Sequence, residues 1–359
     1  MDDAFVGLTT GTRVAVRCRI DPPPAHGPRL SDTVGDVTAV DEDSLRVRTR
    51  TGEVTVRRDL VTALRVIPPR PTRRGAPHRA IGIEDLHLVM TQGQPALESH
   101  WLGEIGSGWL LRAGGGWTGR SNSALPLGSP GLPLAAAVDA LESWYAARGL
   151  TPTVMLPRPR GASTGADPLG ALLLERGYVE SPPTEVLTGR TADLAAAAAP
   201  APVGVVVSSA DRVDEPWLTA SSDRVTDHLA SAREILALPP RQVFLTAADD
   251  EGSIAGVVRV ALNDGWAGVF GLHVAPPHRR RGLGRHLSAS AARAAGQAGA
   301  SLVYLQVERD NTAAHDLYTG LGLRPHHEYS YLAAPRPRWA HPTGLTHEGR
   351  PPTPPTRAP

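Results

Sequence analysis

Between Leu272 and Arg285 the chain reads LHVAPPHRRRGLGR. An apolar strand end breaks at two prolines, passes through three consecutive arginines, and reaches a glycine pair that opens a helix. This order restricts the local fold to a strand, a loop and a helix whose first turn faces an anion. Glycines let backbone N–H groups converge, the helix N-terminus contributes the positive end of its dipole, and the arginines add fixed charge. The core of the pattern is R-x-x-G-x-G from Arg279 to Gly284, a cradle suited to a pyrophosphate.

The rest of the chain narrows which pyrophosphate it can be. All 37 basic residues counted as Lys plus Arg are arginines. Without lysine there is no Walker-type phosphate lysine, no kinase strand lysine and no Schiff-base lysine, so those classes are excluded. A dinucleotide-binding turn competes through Gly282-Leu283-Gly284, but it fails at the third glycine position, which is Leu287. Cys18 is the sole cysteine, so neither an intrachain disulfide nor a cysteine zinc site can form, and no metal site is expected. Cys18 itself reads as a small core residue because its alternation partners are apolar. A net charge of +1 makes any basic patch local. The absence of a signal pattern and of a run of ~18 apolar residues predicts a cytoplasmic protein with no membrane contact.

Length and punctuation predict several domains. With 359 residues, 34 prolines and 37 glycines, the chain is too long for one ordinary domain and rich in linkers. Residues 12–67 alternate in five short strands, which predicts a small all-β SH3-like barrel over 1–69. Its outward Arg46, Arg48, Arg50, Arg57 and Arg58 are either solvated positions on a half-buried sheet or a contact for an acidic partner or nucleic acid. A Pro/Arg linker is expected over 70–80 and a disordered Pro-rich tail over 335–359. Between them two segments share one order. The first has a helix Leu134 to Arg148, a strand Pro152 to Leu156 and a helix Leu169 to Arg176 closed by Gly177. The second has a helix Leu283 to Gln297, a strand Leu302 to Val307 and a helix closed by Gly322. This reads as an internal duplication in which the first copy, with Leu125 to Gly131 before its helix, lacks the arginine and glycine cradle.

Residues 203 to about 334 resemble a GNAT-superfamily N-acetyltransferase domain. The resemblance rests on the strand Leu272, His273 and Val274, the R-x-x-G-x-G cradle and its helix, the strand LQV, and N-x-x-A-x-x-x-Y-x-x-x-G from Asn311 to Gly322. More loosely, the whole chain resembles multidomain GNAT proteins of high-GC actinobacteria. The fold this implies is α+β: a mixed-sheet GNAT fold, arranged as a degenerate domain over 81–200 and a complete one over 203–334, behind the barrel.

The resemblance implies acetyl-CoA as acyl donor and direct transfer to an amine in a ternary complex. The cofactor contacts it implies are Leu272, His273 and Val274 for the pantetheine arm and thioester oxygen, and Arg279, Arg280, Arg281, Gly282, Leu283, Gly284 and Arg285 for the phosphates. Asn311 and Ala314 follow at the last helix. Tyr318 takes the role of acid for the departing thiolate, against a bland reading as an aromatic packed beside Leu321. The base is open. The family's glutamate position is Gln306, which takes no proton; Glu308, on the same strand face, and His273, at the strand end, are both candidates. A non-catalytic acyl-CoA sensor or scaffold with a partner on the barrel is the alternative. The acceptor is left open among a small molecule, a peptide N-terminus and a protein lysine. Trp217, Asp223, Asp227 and Glu234 are possible contacts for a cationic one. Acetyl against longer acyl and the oligomeric state are also left open.

Overall fold

The computed structural model describes residues 8, 12–22, 30–41, 43–49, 53–66, 76–197, 200–263 and 265–335. The chain divides after Gly75 into two compact units. Arg50 and the expected tail from residue 336 onward lie outside the described residues, as do residues 70–75 of the expected linker. Residues 77–80 of that linker instead form a helical turn, with Pro77 at its first position, where a missing N–H costs nothing.

The first unit is an antiparallel sheet of β1 (Arg13–Arg19), β2 (Leu30–Val40), β3 (Ser44–Arg48), β4 (Glu53–Arg57) and β5 (Val61–Val66), in the order β4-β3-β2-β1-β5. Alternation along these strands puts Val14, Val16, Val37, Leu45, Val47, Val56 and Val61 into one core, with Cys18 packed against it. Outward arginines meet acids: Arg17 bonds Asp32 at 2.8 Å, Arg46 lies 3.9 Å from Asp41, and Arg57 bonds Asp59 at 2.5 Å. Both pairs are exposed and screened by solvent.

The second unit opens with α1 (Pro77–Ala80), α2 (Ile83–Gly93), β6 (Glu98–Leu102), β7 (Trp109–Ala113), β8 (Leu125–Pro126), α3 (Leu134–Ala146), β9 (Thr153–Arg158), α4 (Pro168–Glu175), β10 (Val179–Glu180), β11 (Thr184–Arg190) and α5 (Thr191–Ala196). It continues with β12 (Val205–Ala210), α6 (Glu215–Thr219), α7 (Asp223–Thr226), α8 (Leu229–Ala237), β13 (Gln242–Asp249), β14 (Ile254–Asn263), β15 (Trp266–Val274), α9 (Leu283–Gln297), β16 (Leu302–Glu308), α10 (Thr312–Gly320) and β17 (Arg324–Ala333). Local chemistry sets the ends of these elements. Asp167 caps α4 through Leu169 and Gly170 N–H groups, while Gly177 and Gly322 follow α4 and α10 at φ +82° and +90°.

The two copies do not close on themselves. Strand β11, the last of the first copy, lies between β16 and β17 of the second, antiparallel to both. Strand β17 in turn leaves β11 and runs on between β9 and β10 of the first copy. Each copy therefore supplies a strand to the other's sheet, and the expected division at 200–203 is crossed by one continuous sheet. The registry at the crossing is set by charge. Arg158, 8% exposed, bonds Glu328 at 3.2 Å and Glu180 at 3.1 Å, and Glu185 meets Arg160 at 2.8 Å and Arg309 at 3.5 Å. Arg158, Glu185 and Glu328 are all buried, so a slipped register that parted them would strand charge out of water.

A buried histidine chain joins α2 to β17. His326 Nε2 lies 3.0 Å from the Ile81 carbonyl, His326 Nδ1 lies 2.8 Å from His327 Nδ1, and His327 Nε2 lies 2.8 Å from His87 Nε2. The carbonyl fixes the direction: His326 donates to Ile81, His327 donates to His326, and His87 donates to His327, with all three rings neutral. Burial, reinforced by mutual repulsion at His87 and His327, lowers the proton affinity of all three rings, His327 down to about 3. The unfolded chain takes up these protons near pH 6.5, the folded chain only below that. Stability should therefore be full above about pH 6.5 and fall as the pH drops from there toward 3. Melting temperature against pH checks this: a shallower acid slope in His327→Gln is expected, and an unchanged slope would assign acid sensitivity elsewhere.

Candidate functional site

Strands β15 and β16 are parallel neighbours only from Trp266–Leu302 to Gly268–Tyr304. The residues that follow on each, Val269 to His273 and Leu305 to Glu308, line a cavity of about 780 Å³. Opposite β14 the register of β15 slips, with Val257 facing His273 and Arg259 facing Phe270, so Gly271 and Leu272 together oppose Val258. Gly271 takes up this bulge at φ +61°. A bulge of this kind leaves a backbone group off the ladder and re-aims the strand end.

Three candidate catalytic residues line this cavity: His273 from β15, Glu308 from the end of β16 and Tyr318 from α10. Tyr318 is 7% exposed, and burial raises its phenol above the ordinary value, partly offset by a hydrogen bond with Ser288. It stays protonated at any working pH. His273 is held below the ordinary histidine value by burial and then by Arg279, so it is neutral at pH 7 and able to accept a proton. Glu308 is exposed, and its carbonyl accepts the Asn311 N–H at 2.9 Å. Gln306 is fixed by the Tyr329 hydroxyl, which donates to its Oε1 at 2.9 Å.

The anion cradle follows β15. Arg280 adopts φ +62° and Gly282 φ +84°, and Gly282 caps α9 with no side chain on the first-turn N–H groups. Left-handed residues near a helix start form a concave nest of N–H donors. Arg279 Nε turns back to the Val274 carbonyl at 3.0 Å and ties the loop to the strand; Arg280 and Arg281 are exposed. Leu283 is buried in the core, while Gly284 faces Leu272, Val274 and Leu317. Arg285 reaches the Gly320 carbonyl at 3.5 Å. Asn311 caps α10 through the Ala314 N–H at 3.1 Å, and both residues line the cavity. The cradle residues Arg279 to Arg285 are not among the cavity walls.

Trp217, Asp223 and Asp227 line the cavity, whereas Glu234 does not and is solvent-facing on α8. Part of the wall comes from the first copy: Gln94 after α2, and Gly116, Trp117, Thr118, Gly119 and Arg120. Sequence reasoning passed over this segment, although GGGWTGR is its most conspicuous glycine run. Among the described residues no group of three or more His, Cys, Asp or Glu is placed to hold a metal ion, and no helix is long and apolar enough to cross a membrane.

Comparison with known proteins agrees with this architecture. A family described as "Probable histone acetyltransferase Rv0428c C-terminal" matches residues 82–332, and one described as "Rv0428c N-terminal Sm-like domain" matches residues 8–65. The chain is 30% identical over 341 residues to a Mycobacterium tuberculosis protein named "Probable histone acetyltransferase Rv0428c", spanning 92% of this chain and 97% of that protein. A 94-residue stretch is 33% identical to a Bacillus subtilis protein named "Uncharacterized N-acetyltransferase YobR", spanning 26% and 38% of the two chains. A solved GCN5-related N-acetyltransferase from Kribbella flavida shares the fold with a TM-score of 0.51 at 20% identity, covering 72% of this chain and 97% of its own.

Proposed function

The chain belongs to the Rv0428c-type acetyltransferase family, a small Sm-like barrel followed by a GNAT domain, and from that premise we propose that it transfers the acetyl group of acetyl-CoA directly to a primary amine. The observation that carries this reading is the placement of Tyr318, His273 and Glu308 around one cavity that opens where β15 and β16 part. The nest from Arg280 to Gly284 would hold the pyrophosphate. The bulged end of β15 would bind the pantetheine arm and offer an N–H to the thioester oxygen.

The amine must be neutral when it attacks. His273 or Glu308 takes a proton from the arriving ammonium, the neutral nitrogen attacks the thioester carbon, and the C–S bond breaks as the carbonyl re-forms. Tyr318 passes its proton to the leaving sulfur, which departs as a thiol, and the tyrosinate takes up the surplus proton of the new amide nitrogen. Acceptor-dependent release of free CoA thiol from acetyl-CoA, measured over an amine panel, tests the assignment. A second arm is Gly282→Val, which forces a β-branched residue to φ +84° in the nest. It should weaken acetyl-CoA binding by tenfold or more, and unchanged binding would move the phosphates elsewhere.

A further inference from the structure

At one end of the cavity Arg120 and Arg259 line the wall, with Arg112 buried close behind. Arg120 lines the cavity beside Tyr329 and Tyr331, with its guanidinium 6.0 Å from the centre of the Phe270 ring. Arg259, 1% exposed, stacks on the same ring at 4.5 Å and donates to the Gly93 carbonyl and to the Gln94 and Gln242 amide oxygens. Arg112, 3% exposed, donates to the Ser123 carbonyl and hydroxyl. Every one of these acceptors is neutral. Arg158 at the strand crossing, 8% exposed, is flanked by two glutamates. Of the three, Arg120 is half-buried on the cavity wall, where an anion in the cavity can reach a guanidinium whose neighbours Phe270, Tyr329 and Tyr331 carry no carboxylate.

The loop that presents Arg120 is held rigidly. Asn122 Oδ1 accepts from Gly114 and Gly116, its amide donates to the Trp117 and Thr118 carbonyls, Ser121 Oγ donates to the Pro95 carbonyl, and Thr118 is held at φ +55°. Such strain persists only where its surroundings enforce it.

We propose that the acceptor is a small amine bearing a carboxylate, and that Arg120 binds this carboxylate and so orients the amine toward His273 and Glu308. The planar guanidinium fork matches a carboxylate, and the exposed acids Asp223, Asp227 and Glu308 on the same cavity attract the ammonium end. The first copy, without a cradle of its own, thus supplies the acceptor site of the second. This rests on the acetyltransferase reading above.

Matched pairs test it with the full chain: 4-aminobutyrate against 4-aminobutanamide, and 6-aminohexanoate against its amide, each as acetyl acceptor and each titrated calorimetrically without cofactor. Acids should exceed amides at least tenfold in kcat/KM and in affinity. In Arg120→Gln the preference should vanish through KM, with melting temperature and acetyl-CoA affinity held, and Arg120→Lys should keep part of it. Equal treatment of acid and amide, including binding of neither, overturns the proposal. So does preference for a lysine-rich peptide, or for 3-aminopropylphosphonate over the carboxylate. Failure of the wild-type chain to bind acetyl-CoA would instead overturn the transferase reading, while the calorimetric arm still reports on the anion site.

Discussion

Replacing Tyr318 by phenylalanine is expected to lower the rate of acyl transfer by about 10² to 10⁴, the range over which a positioned acid or base acts. Acetyl-CoA affinity should stay within a factor of two. The ring is 7% exposed and packs in the main core with Leu317 and Leu321, and phenylalanine keeps that packing. Losing the hydroxyl removes one hydrogen bond, with Ser288, worth about 1 kcal/mol. Ser288 Oγ still donates to the Gly284 carbonyl at 2.8 Å, so no polar group is stranded. Stability and catalysis therefore separate cleanly in this variant. Single-turnover release of free CoA thiol, with melting temperature alongside, is the measurement. A variant within twofold of the parent would reduce Tyr318 to a packing residue and leave the thiolate to be protonated by water.

Much of this site is legible in the chain because its signals are local. Helix α9 runs from Leu283 to Gln297, the bounds that its apolar spacing and the Gly282-Leu283-Gly284 start dictate. Tyr318 falls on the face with Ala314 because both follow the Asn311 cap at helical spacing. Other features depend on partners far away in sequence. Strand β11 reads TEVLTGR, a segment that would suit any antiparallel neighbour, and nothing within it names β16 and β17. Arg120 sits in a glycine-rich stretch that reads as an ordinary loop. Its significance rests on lining the cavity of the second copy, beside Phe270, Tyr329 and Tyr331, and such a long-range placement leaves no mark in sequence. Glu234 shows the converse: its place in the first helices of the GNAT resemblance offered it as an acceptor contact, surface charge on a helix explained it equally well, and the turn of α8 directs it to solvent.

The exchanged strands make a prediction about the smallest active unit. A fragment spanning residues 203–335 contains every motif of the GNAT resemblance, yet it should neither fold as a monomer nor bind acetyl-CoA. Without β11, strand β16 loses its antiparallel partner from Leu302 to Glu308. Strand β17 loses β11, β9 and β10 together. Exposed, unpaired strand edges template aggregation. The core is cut as well: Leu86, Leu110, Met155 and Val186 of the first copy pack with Ala261, Trp266, Phe270, Tyr304 and Tyr329 of the second in one cluster. Removing a single buried leucine or methionine side chain costs about 2–5 kcal/mol, and several at once exceed the whole stability of an ordinary domain, about 5–15 kcal/mol. Glu328, 1% exposed, would also lose Arg158. The fragment of residues 76–335 keeps both copies, and one cooperative melting transition with acetyl-CoA binding intact is expected of it. Co-expression of 76–200 with 203–335 should restore the unit by non-covalent pairing, because the exchange is carried by strand hydrogen bonds and side-chain packing. A monomeric 203–335 fragment that melts cooperatively near the temperature of the full unit would show that the second copy closes its sheet alone, and the shared sheet would then be a preference of the pair and no longer a requirement of either half.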